Sequence, residues 1–486
     1  MSHVPEVRLR AANDRPVRTD GAYVLYWMIA ARRRRANFAL QRAVSLAKEL
    51  GKPVLVLEAL RCGHRWASER LHAFVLQGMA DNAADFAAAG VTCLPYVEPA
   101  PGAGKGLLAA LAQQACVVVT DEFPCFFLPR MVAAAARAVP VRLEVVDGNG
   151  LLPLRVGDKV FGRAFDLRRF LQKALPAHLG DFPVGDPLRG YDLGAATLPR
   201  GVAAKWPVAS AALLAAEPAA LAELPIDHLV GPVPTRGGAV AAGAALRTFL
   251  TQRLPRYGEE RSDPDAECAS GLSPYLHFGH LSAHQVFAGL AKQESWTRER
   301  IKSTASGQRG WFGMGDNAEA FLDELITWRE LGYNYCWQRD DYEDFASLPD
   351  WPKATLAKHA DDLREHVYSL EEFAASRTHD PVWNAAQTQL RETGVMQNYL
   401  RMLWGKKVLE WTRSPQEAFA FLIELNNRYA LDGRNPNSYT GISWVFGRYD
   451  RPWAPERPVY GVLRYMSSTN TVKKLAIKQY LARWAR

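Results

Sequence analysis

The feature that most constrains the fold of this chain is an alternation, over its first part, of short apolar runs with longer amphipathic segments. The apolar runs lie at residues 23–28, 54–59, 91–97 and 116–122, and the amphipathic segments at 36–50, 67–89 and 106–114. This alternation is typical of a parallel sheet whose strands are buried between helices on both faces. It therefore predicts a Rossmann-like α/β domain over residues 1–155.

A change in composition marks the end of this pattern. Residues 175–240 are rich in Pro, Gly and Ala and show little periodicity, which is typical of a long connector. We assign the connector to residues 156–240 and expect an all-α domain over 241–486. The segments of that domain with helical spacing of apolar residues are 244–254, 282–292, 316–332, 381–411 and 415–429.

Composition excludes several classes of protein. The 486 residues are 48% hydrophobic and 23% charged, which is typical of a globular chain. No apolar run reaches the roughly 18 residues that span a bilayer, and the N-terminal segment lacks the apolar part of a secretory signal. The six cysteines include no CxxC pair. We therefore expect a monomeric cytoplasmic protein that needs neither a membrane nor an obligate protein partner.

The charge of the chain is unevenly distributed. The formal net charge is +8, from 59 basic and 51 acidic residues. Residues 1–200 carry 26 basic and 18 acidic side chains, residues 201–400 carry 18 and 27, and residues 401–486 carry 15 and 6. A basic block at the end of the chain, behind an acidic stretch, indicates a local site for a polyanion.

Two motifs imitate ligand sites. The segment PGAGKG at 101–106 resembles a phosphate-binding loop, but it lacks the leading Gly at the required offset and the Ser or Thr after Lys105. His277, His280 and His284 are spaced three and four residues apart, as on a metal-binding helix face. Because no Cys is near and a Pro and a Gly interrupt this segment, we expect capping or core roles for these histidines and no metal site.

Long motifs in the helical part are similar to those of a known family. They are SGLSPYLHFGHLS at 270–282, HDPVWNAAQ at 379–387, GVMQNYLRMLWGKKVLEW at 394–411 and LNNRYALDGRNPNSYTGISW at 425–444. They resemble class II cyclobutane pyrimidine dimer (CPD) photolyases of the photolyase/cryptochrome family. The resemblance extends from YWM at 26–28 to ERPVYGVLRYM at 456–466, and it agrees with the α/β-then-helical order.

This resemblance implies a light-driven DNA repair enzyme. Excited reduced FAD, bound in the all-α domain, would transfer an electron to a pyrimidine dimer flipped out of UV-damaged duplex DNA, and the electron would return after the ring has split. The resemblance also implies that the α/β domain is an antenna domain holding a second chromophore, of the deazaflavin type. The sequence does not identify the ligands of that chromophore.

Three tryptophans are candidates for electron transfer. Trp404 and Trp411 are seven residues apart in a strongly helical segment, so they lie on one helix face ~10 Å apart. Trp383 opens the preceding helical stretch. Taken singly, each is better explained as a core aromatic residue. The resemblance implies that together they are a relay that reduces the flavin, with Trp404 nearest to it, then Trp383, then a more exposed Trp411.

The resemblance also implies a set of flavin ligands. Asp432 would pair with Arg401 beside the flavin ring, and Asn426 would face its N5, where an amide can hydrogen-bond in either redox state. An Asp or a Ser at such positions equally suits a helix cap. The other residues that match positions lining the flavin and its phosphates are Tyr257, Ser270, Leu272, Ser273, Asn384, Gln387, Gly433 and Asn437.

Other positions match the substrate side of the family. Trp328 and Trp444 match two aromatics that sandwich the flipped dimer, and Met402 matches a further pocket residue. Glu324 matches an acid that hydrogen-bonds a pyrimidine carbonyl, and its spacing of four from Trp328 places both on one helix face. An ionised carboxylate would repel the pyrimidine radical anion, so we expect Glu324 to be protonated when substrate is bound.

The basic block matches the DNA surface of the family. Arg451 and Arg464 match family arginines, the first of which would fill the space that the flipped bases vacate. A surface arginine is by default merely solvated, but the clustering favours phosphate contacts. The cluster consists of Arg448, Arg451, Arg457, Arg464, Lys473, Lys474 and Lys478.

One departure from the class II pattern keeps a second hypothesis open. Class II relatives read MHG where this chain has Met396, Gln397 and Asn398. Two adjacent changes near the expected substrate pocket would suit a cryptochrome-like blue-light receptor, with FAD and the Trp relay but weak or no repair. The substrate-side residues named above favour repair. A basic DNA-binding protein without catalysis would explain the charge but not the flavin motifs.

Overall fold

The computed structural model describes residues 3–485, within which the chain divides into two compact units. The first unit comprises Met1–Gly157, Ala174–Arg247 and Leu272–Leu290, and the second comprises Asp158–Lys173, Thr248–Gly271 and Ala291–Arg486. The segment expected to be a connector, 156–240, is shared between the two units, with the larger part in the first.

The first unit contains a six-stranded sheet. Its strands are β1 Leu9–Ala11, β2 Tyr23–Met28, β3 Val54–Leu60, β4 Thr92–Val97, β5 Ala115–Asp121 and β6 Leu143–Val146. Their order is β1-β6-β5-β2-β3-β4, and all neighbours are parallel except β1, which pairs antiparallel with β6 at the edge. The predicted fold class is confirmed.

Strand β2 shows why the apolar runs form this sheet. All six of its residues are buried. Tyr23, Leu25 and Trp27 pack into one hydrophobic core, and the alternating residues pack into a second core. Because successive side chains of a strand point to opposite faces, a strand covered on both faces is apolar throughout.

Helices make up most of the remaining structure. In chain order they are α1 Phe38–Leu50, α2 Glu69–Ala88, α3 Leu107–Ala112, α4 Leu128–Ala138, α5 Ala164–Ala174, α6 Val202–Lys205, α7 Ala211–Leu214, α8 Pro218–Ala222, α9 Ala239–Thr248, α10 Tyr257–Glu260, α11 Ser273–His277, α12 Ala283–Gln293, α13 Asp316–Leu322, α14 Arg329–Gln338, α15 Asp350–Lys358, α16 Leu370–Ala374, α17 Pro381–Thr393, α18 Asn398–Glu410, α19 Pro415–Tyr429, α20 Pro436–Val445, α21 Ser468–Lys474 and α22 Lys478–Trp484. None of these described helices is long and apolar enough to cross a membrane.

The two imitation motifs have structural roles in the first unit. The backbone N–H groups of Gly102 and Gly104 donate to the carboxylate of Glu98, so the glycine-rich turn already holds an anion of its own chain. His280 is buried, accepts a hydrogen bond from the backbone N–H of Gly238 at 2.9 Å, and has its pKa lowered to about 3 by burial. His284 is also buried, which confirms the expected core roles of these two histidines. Across residues 3–485 no cluster of His, Cys, Asp and Glu is placed to hold a metal.

The second unit consists of helices and loops, and it divides one segment, 381–411, for which the sequence predicts helical spacing. Residues 381–411 form two helices, α17 and α18, separated at Gly394. Gly394 has φ +73°, a left-handed conformation that glycine adopts without strain and that ends α17. A Cβ atom there would also lie 2.8 Å from Cγ of Leu431. The break therefore turns the chain so that α18 can pack back on α17.

Candidate active site in the second unit

Helix α17 begins at a strong start signal that places Trp383. The side chain of Asp380 accepts hydrogen bonds from the backbone N–H groups of Val382 and Trp383, at 2.9 and 3.1 Å. Pro381 occupies the first helical position, where no N–H is needed. The sequence therefore determines locally where this helix begins and where its first indole lies.

The three predicted relay tryptophans form one chain of contacts. The rings of Trp383 and Trp404 are parallel within 8°, with centroids 6.4 Å apart, and the rings of Trp383 and Trp411 are 6.2 Å apart at 66°. The indole N–H of Trp383 donates to the backbone carbonyl of Trp404 at 3.0 Å. Trp383 thus lies between the other two, the order that the relay prediction requires. The expectation of a more exposed Trp411 is wrong, because Trp404 and Trp411 are both only 3% exposed.

The inner end of this chain meets a buried amide with an unused donor. The indole N–H of Trp404 donates to Oε1 of Gln387 at 2.9 Å, and Gln387 is completely buried. Nε2 of Gln387 and Nδ2 of Asn427 make no hydrogen bond to any part of the chain that the structure describes. Leaving such a buried donor unpaired costs about 1–3 kcal/mol. Both groups therefore suit a bound molecule that presents hydrogen-bond acceptors.

Four predicted flavin residues lie around the end of α19: Asn426 on α19, Arg401 on α18, and Asp432 and Gly433 in the loop after α19. Asn426 is buried, and its Nδ2 donates to Oδ1 of Asn427 at 3.2 Å. Asp432 lies 3.4 Å from Nη2 of Arg401 on α18. Gly433 allows the loop to lie close to the end of α19, because a Cβ there would lie 2.8 Å from the backbone oxygen of Asn426 and 2.9 Å from Cα of Asn427. The predicted Arg401–Asp432 pair is present in the structure.

Glu324 lies on a π-helical turn and is paired with an arginine that the sequence analysis missed. The turn, Asp323–Trp328, continues α13 into α14. Nη1 of Arg261 forms an ion pair with Oε1 of Glu324, and the guanidinium lies 5.5 Å from the centre of the Tyr257 ring. Burial raises the pKa of Glu324, although Arg261 opposes the rise. Arg261 follows Tyr257 by one helical turn, and this spacing is the sequence feature from which its place in the site could have been predicted.

The departure at Gln397 has a structural explanation. Oε1 of Gln397 accepts from the backbone N–H of Leu400 at 3.0 Å and so caps α18. Its Nε2 donates to the backbone oxygen of Arg261 at 3.1 Å. Gln397 therefore links the start of the relay helix to the arginine that pairs with Glu324. Asn398 is the exposed first residue of α18.

Trp328 and Trp444 stack directly on each other. Their ring centroids are 4.6 Å apart and the rings are parallel within 12°. Rings at this distance are in contact, so a dimer does not fit between them and the expected sandwich is not the arrangement found. The two half-buried indoles form one joint aromatic surface instead. Nδ2 of Asn437 donates to the backbone oxygen of Trp328 at 2.9 Å, so Asn437 holds this surface in place.

The other residues predicted to bind the flavin or the substrate differ in burial and in hydrogen bonding. The amide of Asn384 is engaged with Thr378, from which it accepts two hydrogen bonds and to whose carbonyl it donates one. Met402 on α18 is half-buried, as is Ser270. Leu272 and Ser273 belong to the first unit, where Leu272 is buried and Ser273 is the exposed first residue of α11.

The basic block contains a pair of arginines on one indole. The guanidinium groups of Arg451 and Arg464 lie 4.5 and 5.4 Å from the centre of the Trp453 ring. The indole N–H of Trp453 donates to Asp450 at 3.0 Å. The pair is therefore held in a defined geometry, at an energy of about 0.5–1 kcal/mol for each exposed cation–π contact.

Arg448 does not belong to this exposed cluster. It is only 5% exposed, donates to the backbone oxygen of Ser347 and lies 4.5 Å over the Tyr335 ring. The expectation that Arg448 contacts phosphate is therefore wrong, because its charge is buried against the protein. The exposed members of the predicted phosphate-contacting cluster are Arg451, Arg457, Lys473, Lys474 and Lys478.

Comparisons with known proteins give a consistent result. No family model matches the chain. The deoxyribodipyrimidine photo-lyase of Methanothermobacter thermautotrophicus is 33% identical over 477 residues, which cover 98% of this chain and 97% of that protein. The protein of the same name from Potorous tridactylus is 32% identical, covering 94% and 80%, and that from Arabidopsis thaliana is 31% identical, covering 98% and 91%.

Solved structures share the fold. A class III photolyase from Agrobacterium tumefaciens superposes with a TM-score of 0.69 at 18% identity, over 96% of this chain and 86% of that one. A cryptochrome from Synechocystis sp. PCC6803 superposes with a TM-score of 0.67 at 15% identity, over 95% and 88%. These likenesses extend over both units of the chain.

Proposed function

Because this chain belongs to the photolyase/cryptochrome family, we propose that it repairs cyclobutane pyrimidine dimers in DNA with the energy of blue or near-ultraviolet light. The expectation of an enzyme of the deoxyribodipyrimidine photo-lyase type is confirmed by the relatives that match nearly its whole length. The proposal adds the substrate, the class II assignment, the cofactors and the mechanism. It places the protein in the cytoplasm, as a monomer acting on DNA.

The observation that carries the proposal is the indole chain and its inner end. Trp411, Trp383 and Trp404 are in contact in that order, and Trp404 is hydrogen-bonded to the buried amide of Gln387. A buried row of aromatic rings that ends at an unpaired polar donor is costly for a fold that uses it only as a core. The arrangement suits electron transfer from the outer indole to a cofactor beside Gln387.

We assign FAD as that cofactor. The residues present fit a flavin, because Nε2 of Gln387 and Nδ2 of Asn427 are buried donors without protein partners, and a flavin ring presents carbonyl and nitrogen acceptors. Arg401 and Asp432 would lie beside the ring, with Asn426 at its N5. The chemistry that reduced FAD supplies when bound is donation of one electron under light, with return of the electron after the cyclobutane ring has split.

On the substrate side, the chain offers an aromatic surface and a charged pair. The stacked Trp328 and Trp444 would support the flipped dimer by base–aromatic contact. Arg261 would hold positive charge near the dimer while it carries the extra electron. A bound dimer removes water from Glu324, which raises its pKa further, so Glu324 takes up a proton and donates a hydrogen bond to a pyrimidine carbonyl.

The rest of the proposal concerns DNA binding and the domains of the chain. Arg451 and Arg464 bind the DNA backbone, with Arg451 in the space that the flipped bases leave. The α/β part, 1–155, would hold an antenna chromophore of the deazaflavin type, followed by the connector 156–240 and the catalytic part 241–486. The long motifs around α17, α18 and α20 support class II.

The proposal is tested with the full-length protein supplied with FAD. Its visible absorbance is recorded for a flavin and a second chromophore, and loss of dimers from irradiated DNA is measured in blue light and in the dark. We expect light-dependent loss of dimers. A coloured protein without that loss would favour the receptor hypothesis, and a protein that stays colourless with FAD would contradict both.

A variant pair tests the substrate residues. Glu324→Ala removes a hydrogen bond to a charged intermediate, worth about 1.5–3 kcal/mol, so repair is expected to fall about tenfold or more. The matched control is Asp350→Ala, which removes a fully exposed carboxylate of the same unit. Equal repair by both variants would contradict the role of Glu324.

A further inference from the structure

The outer end of the indole chain is covered by two other rings. Trp411 is 3% exposed, so its indole has almost no direct access to solvent. The ring of Tyr368 lies 5.9 Å from it at 78°, and the ring of His379 lies 4.8 Å from it at 63°. Tyr368 is half-buried and His379 is exposed. These two rings therefore offer Trp411 a route for electrons from solvent.

Tyr368 and His379 form a hydrogen-bonded pair. The phenol oxygen lies 2.8 Å from Nδ1 of His379, and it accepts the backbone N–H of His379 at 3.0 Å. The backbone N–H of Tyr368 donates to the carbonyl of Trp411 at 3.0 Å, which ties the pair to the indole. With the amide already donating to the phenol oxygen, the phenol proton is directed at Nδ1.

His379 is in a state to accept that proton. Its ring stacks on His366 with centroids 3.8 Å apart. Partial desolvation of the ring by its neighbours, together with the adjacent His366, lowers the pKa of His379, which favours the neutral imidazole. A neutral imidazole with its proton on Nε2 leaves Nδ1 as an acceptor.

We propose that Tyr368 is the terminal electron donor of the relay and that His379 accepts its proton. The step rests on the proposed function, because it needs a Trp411 that has given an electron to Trp383. One electron passes from Tyr368 to the Trp411 radical cation, the phenol O–H bond breaks, and the proton moves to Nδ1 of His379. The products are neutral Trp411, a neutral Tyr368 radical and a protonated His379.

A thiol in solution completes the cycle. It transfers a hydrogen atom to the Tyr368 radical, which restores the phenol and leaves a thiyl radical. The protonated His379 then releases its proton to water. The net reaction moves one electron from the thiol to Trp411 and one proton to solvent.

The surrounding charges favour this direction. Nζ of Lys407 lies 5.3 Å from the centre of the Trp411 ring, and it is paired with Glu410 at 2.6 Å. An ammonium near an indole disfavours a positive charge on that ring, although the pairing with Glu410 weakens the effect. Tyr368 avoids a positive charge altogether, because its electron and proton leave together.

The experiment is flash excitation of the oxidised, FAD-loaded protein, with indole and tyrosyl radicals followed by transient absorption and electron paramagnetic resonance. In the wild type we expect a tyrosyl signal that rises as the indole signal decays, more slowly in D₂O. Tyr368→Phe keeps the ring against Trp411 and removes only the hydroxyl. It is expected to abolish the tyrosyl signal and lengthen the life of the indole radical.

Two further variants sharpen the test. His379→Gln, which removes the imidazole proton acceptor, is expected to slow formation of the tyrosyl radical. Tyr465→Phe is the matched control, since Tyr465 is another half-buried tyrosine beside Lys407, and it should leave both signals unchanged. An indole radical without a tyrosyl signal in the wild type would overturn the role of Tyr368 and leave the relay intact. Absence of any indole radical would overturn the relay itself.

Discussion

Gly433→Ala tests whether the loop after α19 builds the cofactor site. The new Cβ would lie 2.8 Å from the backbone oxygen of Asn426 and 2.9 Å from Cα of Asn427, whereas ordinary contacts are 3.4–4 Å. Both neighbours are backbone atoms, so the loop must move by about half an ångström, at a cost of about 1–3 kcal/mol in the free energy of unfolding. Displacing Asn426 would also weaken the proposed hydrogen bond to the flavin, by about 0.5–1.5 kcal/mol, or up to about tenfold in affinity.

Gly441→Ala is the matched control for this substitution. Gly441 lies inside α20 and a Cβ there would meet nothing within 4 Å, so alanine should stabilise the protein by about 0.4–1 kcal/mol and leave flavin binding unchanged. Denaturant unfolding measures the first effect, and titration of flavin fluorescence measures the second. If Gly433→Ala binds FAD and unfolds as the wild type does, the close packing of this loop against Asn426 is not required for the cofactor site.

Three further substitutions test other parts of the structure. Burial lowers the pKa of Lys406 from 10.5 to about 7. Between these pH values the unfolded chain binds a proton that the folded chain lacks, so the stability of the fold should rise with pH. Lys406→Met should remove this rise, as measured by denaturation midpoints at pH 7 and 9. Gln397→Leu should cost about 0.5–2 kcal/mol in the free energy of unfolding by uncapping α18. Gln397→Asn, which keeps a capping amide, should restore that stability in denaturant unfolding, and equal stability of the Leu and Asn variants would contradict the cap. Arg451→Gln or Arg464→Gln should weaken DNA binding and lower the slope of log Kd against log salt by about 0.9; an unchanged slope would exclude a phosphate contact.

Local signals explain what could be predicted. The four apolar runs of the sheet are confirmed within a few residues, because most of their residues are buried and apolar. The start of α17 at Asp380 and Pro381 is likewise readable from adjacent residues. The edge strand β1 and the short β6 were missed, since three or four residues give too little periodicity.

The site was predicted less completely, for physical reasons that particular residues show. Arg261 and Glu324 are 63 positions apart, and their pairing depends on how α10 packs on α13. Gln397 looked like a departure that weakens the site, but the structure gives it a cap and a link to Arg261. Arg448 looked like a phosphate ligand, but packing buries it. Each of these residues has a partner that is distant in sequence, namely Glu324 for Arg261, Arg261 for Gln397 and Ser347 for Arg448.

The sequence by itself determined the α/β-then-helical order, the helix starts and the residues from which an indole relay and a flavin site could be assembled, because these depend on periodicity, caps and residue chemistry. Only the tertiary structure decided that Trp328 and Trp444 stack on each other, that Trp411 is covered, and that Tyr368 meets His379 beside it. The physical reason is that ring contacts and hydrogen bonds act over a few ångströms, whereas the residues that make them come from separate segments brought together by packing.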